Sequence, residues 1–457
     1  MKIYKYLFIT LLSVFWTGCE NKLEINPTDN LPGELALTSE ANISAILIGI
    51  YQEMGQEDTY GGELQLMDDL LGTTNEVTWG GTFIQPRQAI TKSLLVDNLF
   101  VENIWENSYE SINQSNLVVD NIAIVTSSPE EANRIEGEAR FLRALAYFDL
   151  VRNYAAPYQA EGGNSQPGVP LRTEGILDYL QPLEIARSSV EEVYTQIISD
   201  AQTAYSLLPD ANGFYADKYA AQALLARVYL QQGNYAAARD AANDVLQNSG
   251  HSLAPTFDGA FNNETDGPEI IFAFQKTSQV VAGVDGNQLV NFYASQENGG
   301  RGGDVRIQDA YLNLFDDADN DTRASFFYVS PDNDERLTSK YTSQFANVTI
   351  FRIAEMHLIR LESNFVEGTS VGLAPLAEIN ALRARSGASA LTSLTEDIIF
   401  KERQLELAFE GFLIHDYKRT QRSVGNLAYD ANALTFPIPQ NEMDTNTLME
   451  QNPGYGG

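Results

Sequence analysis

The sequence is short of two kinds of residue, cysteine and basic residues. Its 457 residues include one cysteine, so no disulfide can form within the chain. Lys and Arg number 29 against 62 Asp and Glu, which gives a formal net charge of -33 at pH 7. Nucleic acids and anionic lipid headgroups are bound through Lys and Arg, so a surface this acidic repels both. The charge balance therefore argues against nucleic acid as a partner.

The chain does contain enough apolar material for a large folded core. Hydrophobic residues make up 44% of it and charged residues 20%, a composition typical of globular proteins. At about 150 residues per domain the length would allow three domains, but helical repeat arrays and single large domains break that relation. Length alone leaves the number of domains open.

The N-terminus has the features of an export signal. Lys2 and Lys5 give it a positive start, and the apolar run at 7–16 is too short to span a bilayer. Two small residues then precede Cys19, which resembles a bacterial lipobox. We predict a signal peptide at residues 1–18 and a lipid anchor on Cys19; the alternative is an ordinary secretory signal with an incidental cysteine. No second apolar run of this kind occurs, so acyl chains would hold the protein at the membrane.

Apolar residues recur at helical spacing through much of the remaining chain. Ser128 and Pro129, followed by two acids, are a typical helix start. Between residues 219 and 246 the small and aromatic residues have the spacing of a tetratricopeptide unit, with Gly233 at its turn. The pattern indicates a mainly α protein. The predicted helical segments are 44–54, 99–125, 129–154, 188–208, 219–246, 351–365, 371–385 and 395–412.

Three long segments lack this periodicity: residues 57–92, 251–306 and 316–347. We predict loops there, with a short strand at 269–274. Long loops on a rigid scaffold are where recognition usually occurs. The binding surface is therefore expected in these three segments.

Catalytic chemistry finds little support in the sequence. The three histidines are far apart, and no nucleophile elbow, phosphate-binding loop or zinc spacing occurs. Carboxylate pairs such as Asp68 with Asp69 are expected by chance among 62 acids. Glu402 and Glu406 share one helical face near Arg403, which favours an ion-pair network over a hydrolytic pair.

One acidic run resembles a calcium-binding loop. Asp317, Asp319 and Asp321 alternate as oxygen donors, but the EF-hand pattern fails at Thr322 and Tyr328. The default interpretation is a solvated acidic turn, with a calcium site as the alternative. No other cofactor is predicted.

Aromatic residues within the irregular segments point to a different kind of chemistry. Sugars stack their C–H faces on aromatic rings, while amides, carboxylates and arginines bond their hydroxyls. Trp79 could instead fold inward as local core, and Trp105, at helical spacing with Tyr109, is predicted to pack. The candidate ligand-binding residues are Asn75, Trp79, Phe83, Arg87 and Gln88 in one cluster, and Phe292 and Tyr293 in a second.

Four blocks of sequence, in this order, resemble the SusD/RagB family over nearly the whole mature chain. They are EARFLRALAYF at 138–148, FRIAE at 351–355 with Ile359 and Arg360, ERQLELAFEG at 402–411, and IP at 438–439 with QNPGY at 451–455. The resemblance implies a mainly α, SusD-like fold of tetratricopeptide-type hairpins with long irregular loops and a few short strands. The regions 19–215 and 216–457 would form one continuous unit.

The resemblance also implies a function. Family members are lipoproteins exposed at the outer-membrane surface that bind glycans and act as lids over a SusC-like TonB-dependent transporter; they are not enzymes. The loop around Trp79 corresponds to one that carries sugar contacts in the family, and the Phe292–Tyr293 region to another. Charged residues of the blocks are expected to tie helices together: Arg140, Arg143, Glu355, Arg360, Glu402, Arg403 and Glu410.

Two alternatives to glycan capture stay open at this point. The family also includes RagB-like proteins that capture oligopeptides, and a glycoside hydrolase would need paired carboxylates across a cleft. Among glycans, the acidity of the chain favours a neutral polymer such as the β-glucan laminarin, unless Arg87 and Arg301 build a local positive pocket.

Overall fold

The computed structural model describes residues 37–277 and 286–456, and it is mainly α-helical, as predicted. The predicted signal peptide and Cys19 lie outside these residues. The helices are α1 (Glu40–Met54), α2 (Glu63–Gly72), α3 (Ile84–Ile90), α4 (Leu99–Asp120), α5 (Pro129–Tyr154), α6 (Val190–Leu207), α7 (Lys218–Gln231), α8 (Tyr235–Asn248), α9 (Gln288–Tyr293), α10 (Asp309–Leu312), α11 (Ile353–Glu367), α12 (Pro375–Arg385), α13 (Glu396–Glu406), α14 (Leu413–Arg419) and α15 (Gln440–Thr445).

The strands are short and form three separate antiparallel pairs within the described residues. Strand β1 pairs with β3, β2 with β6, and β4 with β5. The strand predicted at 269–274 is confirmed as β2. The strands are β1 (Val77–Trp79), β2 (Ile270–Phe274), β3 (Val305–Ile307), β4 (Phe327–Val329), β5 (Arg336–Thr338) and β6 (Val348–Arg352).

The long helices begin where their capping residues predict. Ser128 accepts a hydrogen bond from the N–H of Glu131, and Pro129 occupies the first turn of α5, where its missing N–H costs nothing. At α6, Ser189 and Glu192 form a reciprocal capping box. These local bonds set the boundaries of the helices before any tertiary contact is made.

Helices α4 to α8 pack against one another in chain order, and α8 then packs against α11 and α11 against α12. This side-by-side array confirms the tetratricopeptide-type prediction. Between α7 and α8 the chain turns at Gly233, whose φ of 72° lies in the left-handed region that favours glycine. Alanines such as Ala226 and Ala242 are fully buried and let the two helices approach closely.

The predicted ties between helices are confirmed. Arg143 of α5 bonds both oxygens of Asp200 in α6, and the Arg143 Nη2 to Asp200 Oδ1 distance is 2.6 Å. Arg227 of α7 pairs with Glu355 of α11 at 2.7 Å from Nε to Oε1. The remaining pairs are Arg140 with Asp200, Arg360 with Glu378, Arg383 and Arg323 with Glu402, Arg403 with Asp416, and Arg352 with Glu410.

One hydrophobic core extends from Ile43 in α1 to Met449 near the C-terminus, so both halves of the chain contribute to it. A smaller cluster is buried between α11, α12 and α13, with Leu358, Ile379 and Ile399 among its members. No helix in the described parts of the chain is both long enough and apolar enough to cross a membrane.

The irregular segments contain more helix than the sequence predicts. Residues 57–92 include α2 and α3, and residues 251–306 include α9. Every residue of α2 is buried, including its acids, so its polar residues do not mark a solvent-facing side. In the other direction, α4 ends at Asp120 instead of continuing to residue 125, and a single 3-10 turn follows it.

Candidate functional site

The three irregular segments meet at one surface of the molecule. Strand β1 from the first segment pairs with β3 from the second, with Trp79 opposite Val305. The β4–β5 hairpin of the third segment lies beside them, because Asn333 Nδ2 donates to the Gly302 carbonyl at 2.8 Å. The two aromatic clusters predicted from sequence are therefore brought together.

Trp79 and Phe292 belong to one aromatic cluster with Phe83 and Phe100. Ring centroids are 6.2 Å apart for Trp79 and Phe292, and 6.5 Å apart for Phe83 and Phe292. Trp79 is 9% exposed, and its Nε1 donates to the Phe83 carbonyl at 3.1 Å. Trp79 thus packs inward and supports the Phe83 turn. This is the alternative in which Trp79 belongs to the local core and does not stack on a sugar.

Phe292 and Tyr293 are buried in α9. The Tyr293 hydroxyl donates to Asp69 Oδ2 at 2.7 Å, and burial together with that carboxylate raises the pKa of Tyr293 well above its usual value. Neither ring presents a face to solvent. Their placement corrects the expectation that these two rings stack on a ligand, because their faces are occupied by core side chains such as Phe100 and Tyr341.

Glycines after Trp79 permit the close packing of the loop. A Cβ on Gly81 would lie 2.5 Å from the Trp79 ring, and one on Gly80 would overlap the Arg306 guanidinium. The space beside the two glycines is filled by the Arg306 and Asp304 side chains.

Phe83 is the ring at this surface that stays partly exposed. The Arg301 guanidinium lies 3.8 Å from the Phe83 ring centroid, a cation–π contact, and its Nη2 donates to Thr82 Oγ1 at 3.3 Å. Ile84, next in the chain, is 58% exposed. The loop therefore presents a planar guanidinium stacked on an aromatic ring, with an apolar side chain beside it.

Three arginines border this loop, and two of them are paired. Arg301 Nε lies 3.1 Å from Asp304 Oδ2, and Arg306 Nη1 lies 3.0 Å from Glu335 Oε1. The third, Arg87, is exposed and donates from Nη2 to the Gly81 carbonyl at 2.7 Å. The three arginines bring hydrogen-bond donors together. Asp304 and Glu335 neutralise the positive charge of two of them.

The remaining predicted residues lie at the margin of this surface. Gln88 Oε1 accepts from Asn98 Nδ2 at 2.8 Å and so supports the start of α4. Asn75 is exposed in a turn closed by Glu76, whose carboxylate accepts from the backbone N–H groups of Thr74 and Asn75. Burial opposes ionisation of Glu76, but these bonds outweigh it and its pKa is lowered.

Sequence reasoning missed two contributors, Arg306 and Ile84. Arg306 is the half-exposed middle residue of β3, between buried Val305 and Ile307. An alternating Val-Arg-Ile triplet is a detectable strand signal. Nothing in the sequence around Ile84 distinguishes it from a core residue, so only the fold reveals its exposure.

The acidic run resembles a metal site in sequence only. Asp321 pairs with Arg323 at 2.7 Å, Asp317 accepts from Ser389 and Asn320, and Asp319 is exposed. Among the residues that the structure describes, no three His, Cys, Asp or Glu side chains come together to hold a metal ion. The calcium alternative is corrected to an acidic turn in which Asp317 and Asp321 already have partners and Asp319 is exposed to solvent.

One candidate histidine, His415, and the adjacent acids Asp68 and Asp69 are buried away from this surface. His415 Nε2 lies 2.9 Å from Asp68 Oδ2, and both side chains are almost fully buried. Burial raises the pKa of Asp68 to about 8 and that of Asp69 to about 7, and it lowers the pKa of His415. A polymer outside the protein cannot reach these groups.

Comparisons with known proteins agree with this geometry. A SusD-like model described as starch-binding and associating with the outer membrane matches residues 23–230, and a SusD family model matches residues 325–435. SusD-like protein P2 of Formosa agariphila is 26% identical over the full length of both chains. SusD-like protein P38 of the same organism is 24% identical, again over both full lengths.

Solved structures share the fold. A SusD superfamily protein of Bacteroides thetaiotaomicron is 25% identical with a TM-score of 0.80, covering 91% of this chain and all of that one. A protein described as a laminarin-binding SusD-like protein has a TM-score of 0.76 at 21% identity, covering 92% of this chain and all of that one. With the helical array, the four sequence blocks and two family models that together span more than half of the chain, this protein belongs to the SusD/RagB family.

Proposed function

We propose that the protein captures a neutral oligosaccharide or polysaccharide, such as a β-glucan, at the surface around Phe83, Arg87 and Arg301. It then delivers the glycan to a SusC-like TonB-dependent transporter in the outer membrane. The observation that carries the proposal is the Arg301 guanidinium stacked on Phe83 beside the exposed donors of Arg87. A flat surface with hydrogen-bond donors at its edge suits the C–H face and hydroxyls of a sugar ring.

The other predicted residues take supporting roles in this proposal. Trp79 and Phe292 hold the Phe83 turn from inside, and Gln88 holds the start of α4. We propose that Asn75, which is exposed in the same loop, extends the surface toward a second sugar ring. The proposed site therefore consists of buried aromatic rings, Trp79 and Phe292, beneath exposed polar side chains.

A neutral ligand is favoured by the charges at the site. Asp304 and Glu335 pair with two of the three arginines, so the surface keeps donors without a strong positive potential. The rest of the protein is strongly acidic and repels polyanions. The structural similarity to a laminarin-binding SusD-like protein makes laminarin the first polymer to test.

Attachment to the membrane is proposed through acyl chains on Cys19. The acidic chain disfavours adsorption to anionic headgroups, and multiple acyl chains anchor a protein without a spanning helix. Mass spectrometry of the membrane fraction should find Cys19 acylated at the new N-terminus. A bare Cys19 on protein released into the periplasm would contradict surface anchoring.

Affinity electrophoresis tests the glycan proposal. Laminarin in a native gel should retard the protein, with a Kd on the order of micromolar or weaker, whereas alginate, a uronate polymer, should not. Arg87→Gln and Arg301→Gln should each weaken retardation by about tenfold, because each removes a charged donor from the site. Arg422→Gln is the matched control, since its side chain is 29% exposed, as is that of Arg301, and lies elsewhere.

Three outcomes would contradict the proposal. Unchanged retardation of both arginine variants would remove this surface from the site. Retardation by alginate but not by laminarin would reverse the assigned charge of the ligand. New reducing ends released from laminarin would show an enzyme, and capture of oligopeptides in place of glycans would favour the RagB-like alternative.

A further inference from the structure

A second concave surface lies between α4 and the segment at 170–185. It is a groove of about 690 Å³, within the usual range for small-molecule pockets. Helix α4 forms one wall with Glu106, Glu110, Asn113 and Gln114, and the opposite wall carries Ile176, Tyr179 and Leu183. The groove is built from different residues than the loop surface around Phe83.

Tyr179 is an exposed ring held in a fixed position. Its side chain is 69% exposed, yet its hydroxyl accepts a hydrogen bond from Asn113 Nδ2 at 3.2 Å. The same Asn113 side chain also bonds both backbone groups of Ile176, at 3.1 Å to the carbonyl and 2.7 Å from the N–H. The Tyr179 ring is thus exposed to water at the mouth of the groove. Because hydrogen bonds already orient the ring, its side chain loses little conformational entropy when a ligand stacks on it.

The floor of the groove is aromatic as well. Trp105 and Tyr109 lie one helical turn apart with ring centroids separated by 4.8 Å, so the predicted packing of this pair is confirmed. The Tyr109 hydroxyl donates to the Pro170 carbonyl at 2.9 Å, which joins the two walls. The floor is therefore rigid and apolar.

The rim of the groove supplies mainly hydrogen-bond acceptors. Glu106 and Glu110 are exposed on successive turns of α4, and neither forms an ion pair with any residue in the described chain. The one arginine in the groove, Arg172, donates to the Leu183 carbonyl. Hydroxyl groups of a neutral sugar match this rim, whereas a sulfated or uronate sugar would be repelled.

We propose that this groove is a second carbohydrate-binding site, which takes the same class of neutral glycan as the loop surface. This inference rests on the proposed function. Helix α4 connects the two sites: Phe100 packs under the loop surface, and Asn113 lies roughly 20 Å further along the helix at about 1.5 Å per residue.

Counting bound sugars tests the proposal. Equilibrium dialysis of the whole purified protein with labelled laminaritriose should find two molecules per chain. Tyr179→Ala should reduce this to one and weaken laminarin binding three- to tenfold, because it removes the stacking surface. Phe214→Ala is the matched control, since Phe214 is 63% exposed outside the groove. Arg87→Gln, measured in parallel, should weaken binding at the loop surface by about tenfold and leave the affinity of the groove unchanged.

A second variant tests the groove in case Tyr179→Ala does not fold. Glu110→Lys places a longer cationic side chain in the groove from the α4 wall, and it too should leave one trisaccharide per chain. One trisaccharide bound to the unaltered protein and to both groove variants, or two bound to both groove variants, would overturn the groove site while leaving the loop site intact. No binding of laminaritriose or laminarin to the unaltered protein would overturn both the groove site and the proposed function.

Discussion

The helical array and the loop surface use charged residues in opposite ways. In the array, Arg352 is buried and bonds carboxylates of Glu269, Glu406 and Glu410. At the loop surface, Arg87 is exposed and bonds a backbone carbonyl. In the array, charged side chains form buried ion pairs that hold helices together. At the loop surface, the arginine N–H groups stay available as hydrogen-bond donors. Charged residues in the sequence blocks therefore indicate contacts that stabilise the scaffold, whereas isolated arginines in the loops indicate the proposed site.

The two regions also differ in what a lost side chain leaves behind. Removing one member of a buried ion pair leaves an uncompensated charge in the interior, which is among the most destabilising of single changes. Removing an exposed side chain leaves water in its place. Stability measurements should therefore separate scaffold residues from ligand-contacting residues.

The largest effect is expected for Arg352→Ala. Three carboxylates, of Glu269, Glu406 and Glu410, would lose a buried partner, and the free energy of unfolding should fall by about 3–5 kcal/mol. Denaturant unfolding followed by circular dichroism measures this loss. Arg336→Ala breaks the exposed pair with Asp309 and should cost about 1 kcal/mol or less. Equal losses in the two variants would show that the buried network does not hold the array.

Trp79→Ala and Phe83→Ala test, within the loop itself, the distinction between residues that stabilise the fold and residues that contact the ligand. Trp79 is almost buried, so its loss should destabilise the protein by about 3 kcal/mol or more and weaken laminarin retardation only through the collapsed turn. Phe83 is partly exposed, and its loss should cost about 1–2 kcal/mol while abolishing the stacked surface. Thermal melting and affinity electrophoresis on the same samples compare the two. A Phe83 variant that is unstable yet binds normally would reverse the assignment.

The remaining effect concerns pH. Burial raises the pKa of Glu63 from 4.5 to about 9, so between these values the folded protein keeps a proton that the unfolded chain has lost. This contribution to stability is fully present below pH 4.5 and falls as pH rises through the window. Glu63→Gln should remove on the order of 1–3 kcal/mol of pH dependence between pH 5 and pH 7. Unfolding curves at both pH values measure the difference, and an unchanged slope would contradict the raised pKa.

Sequence periodicity and local signals predicted most helices of the array. The turn at Gly233 and the start of α5 at Pro129 could be predicted because each depends on a few neighbouring residues. Helix α2 was not predicted. It is only ten residues long and its acids are buried, so its composition does not match that of a surface helix.

The candidate site was predictable as a region but not residue by residue. The sequence placed the candidate ring-bearing and polar residues in the first two irregular segments, which the structure brings together through β1 and β3. It could not distinguish Trp79 and Phe292, which face inward, from Phe83, which stays partly exposed. Loop aromatics have no periodicity that marks their direction, so the packing of distant segments sets it.

The sequence by itself determined the family, the helical array and the acidic character of the surface, because each depends on composition or on residues close together in the chain. Tertiary structure alone decided which rings are buried, which arginines are neutralised, and that α4 and the segment at 170–185 enclose a groove. Those properties depend on contacts between segments far apart in the chain. No local pattern of residues specifies which distant side chain will cover a given ring or charge.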